Sequence, residues 1–254
     1  GHPRCFCAPR PDPASSFADR QRRFGLPGSS WADYDQALLS GGGGVYPRTM
    51  KTSELSEQAR KRLGAAGGSF TPNELIATIL RAPVDLLWNG GIGTYVKATG
   101  ETHADVGDRA NDGLRVNGGE LRCKMVGEGG NLGFTQRGRV EFALAGGLIY
   151  TDAIDNSAGV DCSDHEVNIK IALGAAVAAG TLTLEQRNEV LADMTDEVGE
   201  LVLDDNRAQG LALAIARRQA LPMVNVHSRY LNTLESCLLY TSPIPRDRTS
   251  TRMP

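Results

Sequence analysis

Two short apolar runs, each breaking into glycines, constrain this chain most: Val84-Asp-Leu-Leu-Trp-Asn-Gly-Gly-Ile-Gly-Thr-Tyr95 and Lys124-Met-Val-Gly-Glu-Gly-Gly-Asn-Leu-Gly133. Val84, Leu86, Leu87 and Trp88 suit a strand buried on both faces of a parallel sheet. Glycine directly after such a strand lets the backbone turn sharply and come close to a ligand. In open α/β sheets the ligand crevice lies beyond the carboxyl ends of the strands. Two such units in series fit two neighbouring lips of one cofactor cleft. Any α/β protein also turns on glycine after a strand, so the residues alone leave both readings open.

The totals exclude several function classes. With 254 residues, 41% of them hydrophobic, the chain is long enough for one or two domains. A net charge of -3 offers no basic field to favour nucleic acid or an anionic membrane. No apolar stretch approaches the roughly 20 residues that span a bilayer, and no secretory signal opens the chain. Cys5, Cys7, Cys123, Cys162 and Cys237 show no paired framework and read as reduced thiols of a cytoplasmic protein. One intervening residue between Cys5 and Cys7 is poor zinc spacing, and a buried strand fits better. No metal site is expected.

Both ends depart from a native pattern. The chain starts at Gly1 without an initiator Met and enters a strand-like His2-Pro-Arg-Cys-Phe-Cys7. Cys237-Leu-Leu-Tyr-Thr-Ser242 is what TGT CTC TTA TAC ACA TCT encodes, a string resembling the transposase end of a sequencing adapter. Residues 236–254 are therefore expected to be a non-native, adapter-derived tail and are left out of the fold reasoning. Without them the balance is 24 basic against 29 acidic residues, so the remainder is more acidic than the totals suggest.

Along the chain, Asp12-Pro13 reads as an N-cap followed by proline at the first helical position, with Gly25 as the stop. A second short helix is expected from Ser30 through Leu39, broken by Gly41 to Gly44, which read as a surface loop rather than a phosphate cradle. Another is expected near Leu55 to Leu63. Thr71-Pro-Asn-Glu74 is a capping box, Leu75, Ile76, Ile79 and Leu80 supply the apolar face, and Pro83 ends the helix before the Val84 strand. Leu121 to Val126 is the next strand, Gln136 to Ala145 its following helix, and Leu148 to Tyr150 a third strand. From about Asp161 the pattern turns helical: Val167 to Ala179, Leu184 to Leu203, then Leu211 to Ala220 before Pro222. The expected class is α/β, with a truncated Rossmann-type parallel sheet and its helices followed by a helical C-terminal segment. Residues 1–153 would form the partial dinucleotide-binding domain and residues 154–235 the helical segment.

Longer pieces make a family resemblance specific. These are Leu87-Trp-Asn-Gly-Gly-Ile-Gly-Thr-Tyr-Val-Lys97, Glu101-Thr-His-Ala-Asp-Val-Gly-Asp-Arg-Ala-Asn-Asp112, Val126-Gly-Glu-Gly-Gly-Asn131 and Asp152-Ala-Ile-Asp-Asn-Ser-Ala-Gly-Val-Asp-Cys-Ser-Asp-His-Glu166, with Gly42-Gly-Gly-Val-Tyr-Pro-Arg-Thr49 upstream. Together they resemble the large NAD-dependent glutamate dehydrogenases of bacteria, over nearly everything from His2 to Glu235. The shorter glutamate dehydrogenases carry a similar pattern, N-A-G-G-V-T-V-S-Y-F-E, which Asn156, Gly159, Val160, Ser163 and Glu166 match without a gap. Their E-G-A-N motif is similar to Glu128-Gly129-Gly130-Asn131.

The resemblance implies oxidative deamination of L-glutamate to 2-oxoglutarate with NAD, in a cytoplasmic enzyme that is homo-oligomeric at full length. It implies that Asn89, Gly90, Gly91, Glu128, Gly129, Gly130 and Asn131 bind the cofactor, Asn131 near the nicotinamide ribose, and that Ser163 and Val160 touch the substrate side chain. A serine in the first turn of a helix can donate to a carboxylate beside free backbone amides. Asp161, Asp164 and Glu166 crowd that turn; the plainer alternative is that Asp161 caps the helix and Ser163 is solvated. His103 and His165, each flanked by carboxylates, read as hydrogen-bonded surface residues.

No catalytic residue is expected within this stretch. The family's lysine and carboxylate, and its glycine-rich pyrophosphate turn, would lie upstream of Gly1, because no G-x-G-x-x-G follows an early strand. By position His2 to Ala8 would be the second Rossmann strand, and Ala8 stands where the family has an aspartate for the adenosine ribose. Such a fragment would be inactive alone and bind NAD weakly or not at all. The rival reading is a non-catalytic nucleotide-binding or subunit-assembly module whose glycines are simple turns.

Overall fold

The computed structural model describes residues 4–237. The start of the first strand at His2, the reading of Gly1, and the part beyond position 237 of the tail expected to be adapter-derived lie outside the described residues. The chain divides into two compact units, with the break between Ile149 and Tyr150.

The first unit opens with β1 (Arg4–Cys7), which pairs antiparallel with β2 (Gly44–Pro47), Cys5 opposite Tyr46 and Phe6 opposite Val45. This corrects the expectation that the segment is a strand of the parallel sheet. Phe6 stacks on Trp31 at 4.6 Å and tilts against Tyr34 at the same distance, and these contacts help anchor the strand beside β2. Helix α1 (Pro13–Phe24) is capped by Asp12, whose carboxylate accepts the Ser15 N–H, and Gly25 closes it. The expected helix after Ser30 is instead two single 3-10 turns, Trp31–Asp33 and Gln36–Leu38, each closed by its own side-chain cap, Ser30 and Asp35. Strands β3 (Ser53–Glu54) and β4 (Ser69–Phe70) pair antiparallel around α2 (Glu57–Leu63).

Helix α3 (Pro72–Leu80) starts on the expected capping box, with the Thr71 N–H donating to Glu74 at 2.8 Å. It leads to β5 (Leu86–Asn89), the first strand of a parallel sheet ordered β5-β8-β9, where β8 is Met125–Glu128 and β9 is Leu148–Ile149. Between β5 and β8 lie β6 (Val96–Lys97) and β7 (Val116–Asn117), a parallel pair, and α4 (His103–Val106). Strand β8 begins four residues later than the apolar run suggested, because Gly118–Glu120 forms a 3-10 turn. Helix α5 (Gln136–Leu144) connects β8 to β9.

One face of this sheet is packed. Val126, Phe134 and Phe142 form a buried cluster with Val96 and Val116, and Leu87, Leu80 and Ile149 pack against it. The other face corrects the expectation of a strand buried on both sides. Leu86 and Trp88 are 49% and 59% exposed, and the same row continues through Met125 and Leu148. Period-two alternation puts Leu87 under α3 and α5 and turns its two neighbours outward, where no element among the described residues of this unit covers them.

The second unit is helical: α6 (Asp152–Asp155), α7 (Ser157–Ala178), α8 (Leu184–Asp193) and α9 (Thr195–Ser236). Two expectations need correction here. Helix α7 starts ten residues before Val167, and α9 runs through Pro222. A proline removes one backbone donor and bends a helix, at about 3 kcal/mol, without having to end it when the turns on both sides hold. Among the described residues, no helix is long and apolar enough to cross a membrane.

Candidate functional site

The two glycine-broken runs end side by side. Strands β5 and β8 are hydrogen-bonded neighbours running in the same direction, Trp88 beside Gly127 and Asn89 beside Glu128. Their carboxyl ends therefore open onto one edge, where a parallel sheet leaves its crevice. The turns touch through main chain: the Gly130 N–H donates to the Asn89 carbonyl at 2.9 Å, and the Gly91 N–H to the Asn89 side-chain oxygen at 3.3 Å. A Cβ at position 130 would stand 2.4 Å from the Gly91 carbonyl oxygen, so this approach is open only to glycine. Gly133 is tighter: a Cβ there would lie 1.7 Å from the Asn89 Nδ2. That nitrogen is buried and, among the described residues, donates to nothing.

The turn after β8 is held by a buried ion pair. The Glu128 side chain is wholly buried; its two oxygens receive Arg139 Nε at 2.6 Å and Nη2 at 3.0 Å, and one also accepts the Phe134 N–H at 3.1 Å. A fork of this kind fixes the carboxylate in one plane. Between the strand tip and α5, Leu132 has φ of 62°, the only non-glycine residue with positive φ among the described residues. Its carbonyl accepts the Thr94 hydroxyl at 2.7 Å, tying the two turns together. Positive φ is strained for a branched side chain and occurs where the surroundings over-determine it.

A second polar network braces the turn after β5. The Asp108 carboxylate accepts the Thr94 N–H at 2.8 Å and the Asn111 amide at 2.6 Å. Burial pushes its pKa up, but these hydrogen bonds and the Arg115 charge prevail and hold it below the usual carboxylate range. The Arg115 guanidinium is buried, donating to the Thr94 and Asp108 carbonyls, to Asp112 at 2.6 Å, and to His103 Nδ1 at 2.9 Å. His103 thus belongs to a hydrogen-bonded cluster. An apolar cavity of about 150 Å³ sits at the tip of β5, walled by Leu87, Trp88, Asn89, Gly91, Tyr95 and Phe134 among others.

Of the residues expected to line a cofactor cleft, Asn89, Gly90, Gly91, Glu128, Gly129, Gly130 and Asn131 thus fall on two adjoining turns. Glu128 faces inward onto Arg139 rather than outward. In the second unit, Val160 and Ser163 are exposed on α7. Ser163 is the seventh residue of that helix, not in its first turn, and Asp161 is not its cap; Asn156 holds the N-cap position. The neighbouring amides there are already inside the helix, so no unpaired N–H groups stand beside the serine. His165 Nε2 lies 3.5 Å from Asp161 and 3.7 Å from Asp205 of α9. Arg139 and Arg115 were not anticipated. Arg139 is three residues before Phe142, which puts both on the buried face of α5, and that spacing was a readable signal.

The profile of the family described as bacterial NAD-glutamate dehydrogenase, catalytic domain, matches residues 1–216. NAD-specific glutamate dehydrogenases of Pseudomonas aeruginosa, Halomonas elongata and Mycobacterium tuberculosis are 57%, 53% and 54% identical to this chain over 92% of its length. The chain spans only 14%, 15% and 15% of those relatives. On that match the chain belongs to the bacterial NAD-glutamate dehydrogenase catalytic-domain family.

Proposed function

We propose that this chain is part of the catalytic region of an enzyme that oxidatively deaminates L-glutamate to 2-oxoglutarate, with NAD as cofactor and as a homo-oligomer. The observation that carries this reading is the pairing of β5 with β8, which brings two glycine turns together at their carboxyl ends. The relatives' names supply the reaction. The division into a partial dinucleotide-binding domain, residues 1–153, and a helical segment, residues 154–235, is part of the proposal.

The residues fit a flat nicotinamide ring and its ribose. Bare main chain at Gly90 and Gly91 allows approach at van der Waals distance, whereas the open side of Gly129 meets the Trp88 indole and that of Gly130 the Gly91 carbonyl. Asn131 is assigned to the ribose, and the unpartnered Asn89 amide keeps one donor unsatisfied, which costs about 1–3 kcal/mol when buried. When bound, NAD supplies the acceptor for the hydride leaving the amine-bearing carbon. Glu128 does its part through Arg139, keeping the second turn in place. Val160 and Ser163 are assigned to the glutamate side chain. The proton-handling lysine and the pyrophosphate turn are placed upstream, so this polypeptide alone is inactive and holds NAD weakly.

Isothermal titration with NAD tests the proposal on two polypeptides, this chain and the full-length enzyme that contains it. Expected is saturable binding only for the longer polypeptide. A low-micromolar dissociation constant for the short chain overturns the division of labour; no binding by either overturns the cofactor reading.

A further inference from the structure

The reaction proposed above makes no use of one side-chain cluster in the helical unit. Asp161 and His165 are one turn apart on α7, and Asp205 reaches them from α9. His165 Nε2 is 3.5 Å from Asp161 Oδ1 and 3.7 Å from Asp205 Oδ2, and one ligand atom of each residue lies within 4.8 Å of the other two. No spacing motif announces the trio, because helix packing brings in its third member. A neighbouring tie, the Ser157 hydroxyl to Asn206 at 3.0 Å, holds α7 and α9 in that register.

These separations exceed those of N–H···O hydrogen bonds, about 2.7–3.2 Å. They suit the edges of a coordination shell: a tetrahedral zinc ion about 2.0–2.2 Å from each ligand atom sets those atoms roughly 3.3–3.6 Å apart. The charge balance points the same way. Two carboxylates face a single imidazole, while Lys170 of α7 is engaged by Glu166 and Arg207 of α9 by Asp204. Asp161 Oδ2 is shut off from solvent and, among the described residues, accepts no hydrogen bond. A buried carboxylate oxygen left in that state costs free energy unless a cation answers it. The three side chains, Asp161, His165 and Asp205, are 26%, 32% and 62% exposed, so an ion can enter and keep water in its remaining position.

We infer that Asp161, His165 and Asp205 form a divalent-cation site that takes zinc and ties α7 to α9. An imidazole nitrogen beside carboxylate oxygens suits zinc, whereas magnesium and calcium take shells of oxygen alone. The site lies wholly within the helical unit and does not depend on the dehydrogenase reading.

The experiment strips the full-length enzyme with a chelator, dialyses it against zinc chloride and counts bound zinc by elemental analysis. Expected is one more zinc ion per chain in the wild type than in His165→Ala or Asp205→Asn, and a larger rise in melting temperature with zinc in the wild type than in either variant. Altering a residue that merely orients a metal ligand already weakens binding about 10–100-fold, so losing a ligand weakens it at least that much. Asp205→Asn keeps the shape of an exposed side chain, and an unchanged melting temperature without zinc shows that the variant is folded. Asp204→Asn removes the adjacent exposed carboxylate and keeps the wild-type zinc count, which separates a built site from general attraction to acidic helices. Equal zinc in the wild type and in folded Asp205→Asn, or the same loss in Asp204→Asn, overturns the inference and leaves the trio as an ion-paired histidine.

Discussion

The strand-tip region around β5 and β8 and the helical unit after Tyr150 are built on opposite terms. At the strand tips, polar groups are buried and answered: Glu128 by Arg139, Arg115 by Asp112, Thr94 by Asp108 and Leu132. In the helices, Val160, Val167, Ile171, Leu211 and Ile215 are exposed, and Val202 and Ser157 are the buried side chains of the described residues there. The Ser157 hydroxyl meets Asn206 of α9 at 3.0 Å, one of few polar ties between those helices. The difference teaches where sequence is constrained. Glycine turns tolerate almost no added atom, whereas the helix surfaces tolerate many.

The contrast breaks most sharply on two ion pairs. Glu128→Ala removes the carboxylate onto which the buried Arg139 guanidinium forks, and removing one partner of a buried pair costs about 3–5 kcal/mol. The matched change on α7, Glu166→Ala, removes the partner of Lys170 in a pair whose side chains are nearly half exposed, and costs at most about 1 kcal/mol. Urea unfolding of both variants measures the gap. Equal losses would show that the strand tips are no more tightly determined than the helices.

Glycines extend the comparison at smaller magnitude. Gly133→Ala drives a methyl group against the buried Asn89 amide, and overpacking of this kind costs about 1–3 kcal/mol. Gly174 in the middle of α7 has open space where a Cβ would go, and Gly174→Ala should stabilise the chain by about 0.5–1 kcal/mol through helix propensity alone. Opposite signs in the melting temperatures are the expected outcome. The same sign for both removes the steric account of the strand-tip glycines.

The legible parts of this fold were those decided by local chemistry. The Thr71 capping box, the Asp12-Pro13 start and the glycine turns after β5 and β8 all stand where short-range residue patterns put them. What the pattern could not reach was pairing between distant segments. Nothing local in Arg4 to Cys7 says that it will pair antiparallel with Gly44 to Pro47. Nothing local in Leu86 and Trp88 says that one face of their sheet stays open in this chain, since apolarity reports a preference and not a neighbour. The site residues split the same way. Adjacent glycine tips were visible as motifs, but Glu128 looked like a ligand contact because its partner, Arg139, lies 11 residues on and is charged. The start of α7 was missed because Asn156 to Val160 mixes small and polar residues without an apolar rhythm.

The smallest effect on folding is also the sharpest test of function in the helical unit. Ser163 is exposed, seven residues into α7, and its hydroxyl supports no packing, so Ser163→Ala should change stability by less than about 0.5 kcal/mol. If the hydroxyl donates to the carboxylate of L-glutamate, losing that charged hydrogen bond weakens transition-state binding by about 1.5–3 kcal/mol, roughly ten- to a hundredfold in kcat/KM. The measurement is made in the full-length enzyme, with KM for NAD as the internal control, and Ser163→Thr should restore most of the activity because it keeps the donor. A helix-surface residue with no substrate contact gives wild-type kcat/KM in both variants. Since the amides around Ser163 are already taken up in α7, any effect seen must come from the hydroxyl itself and not from the end of a helix.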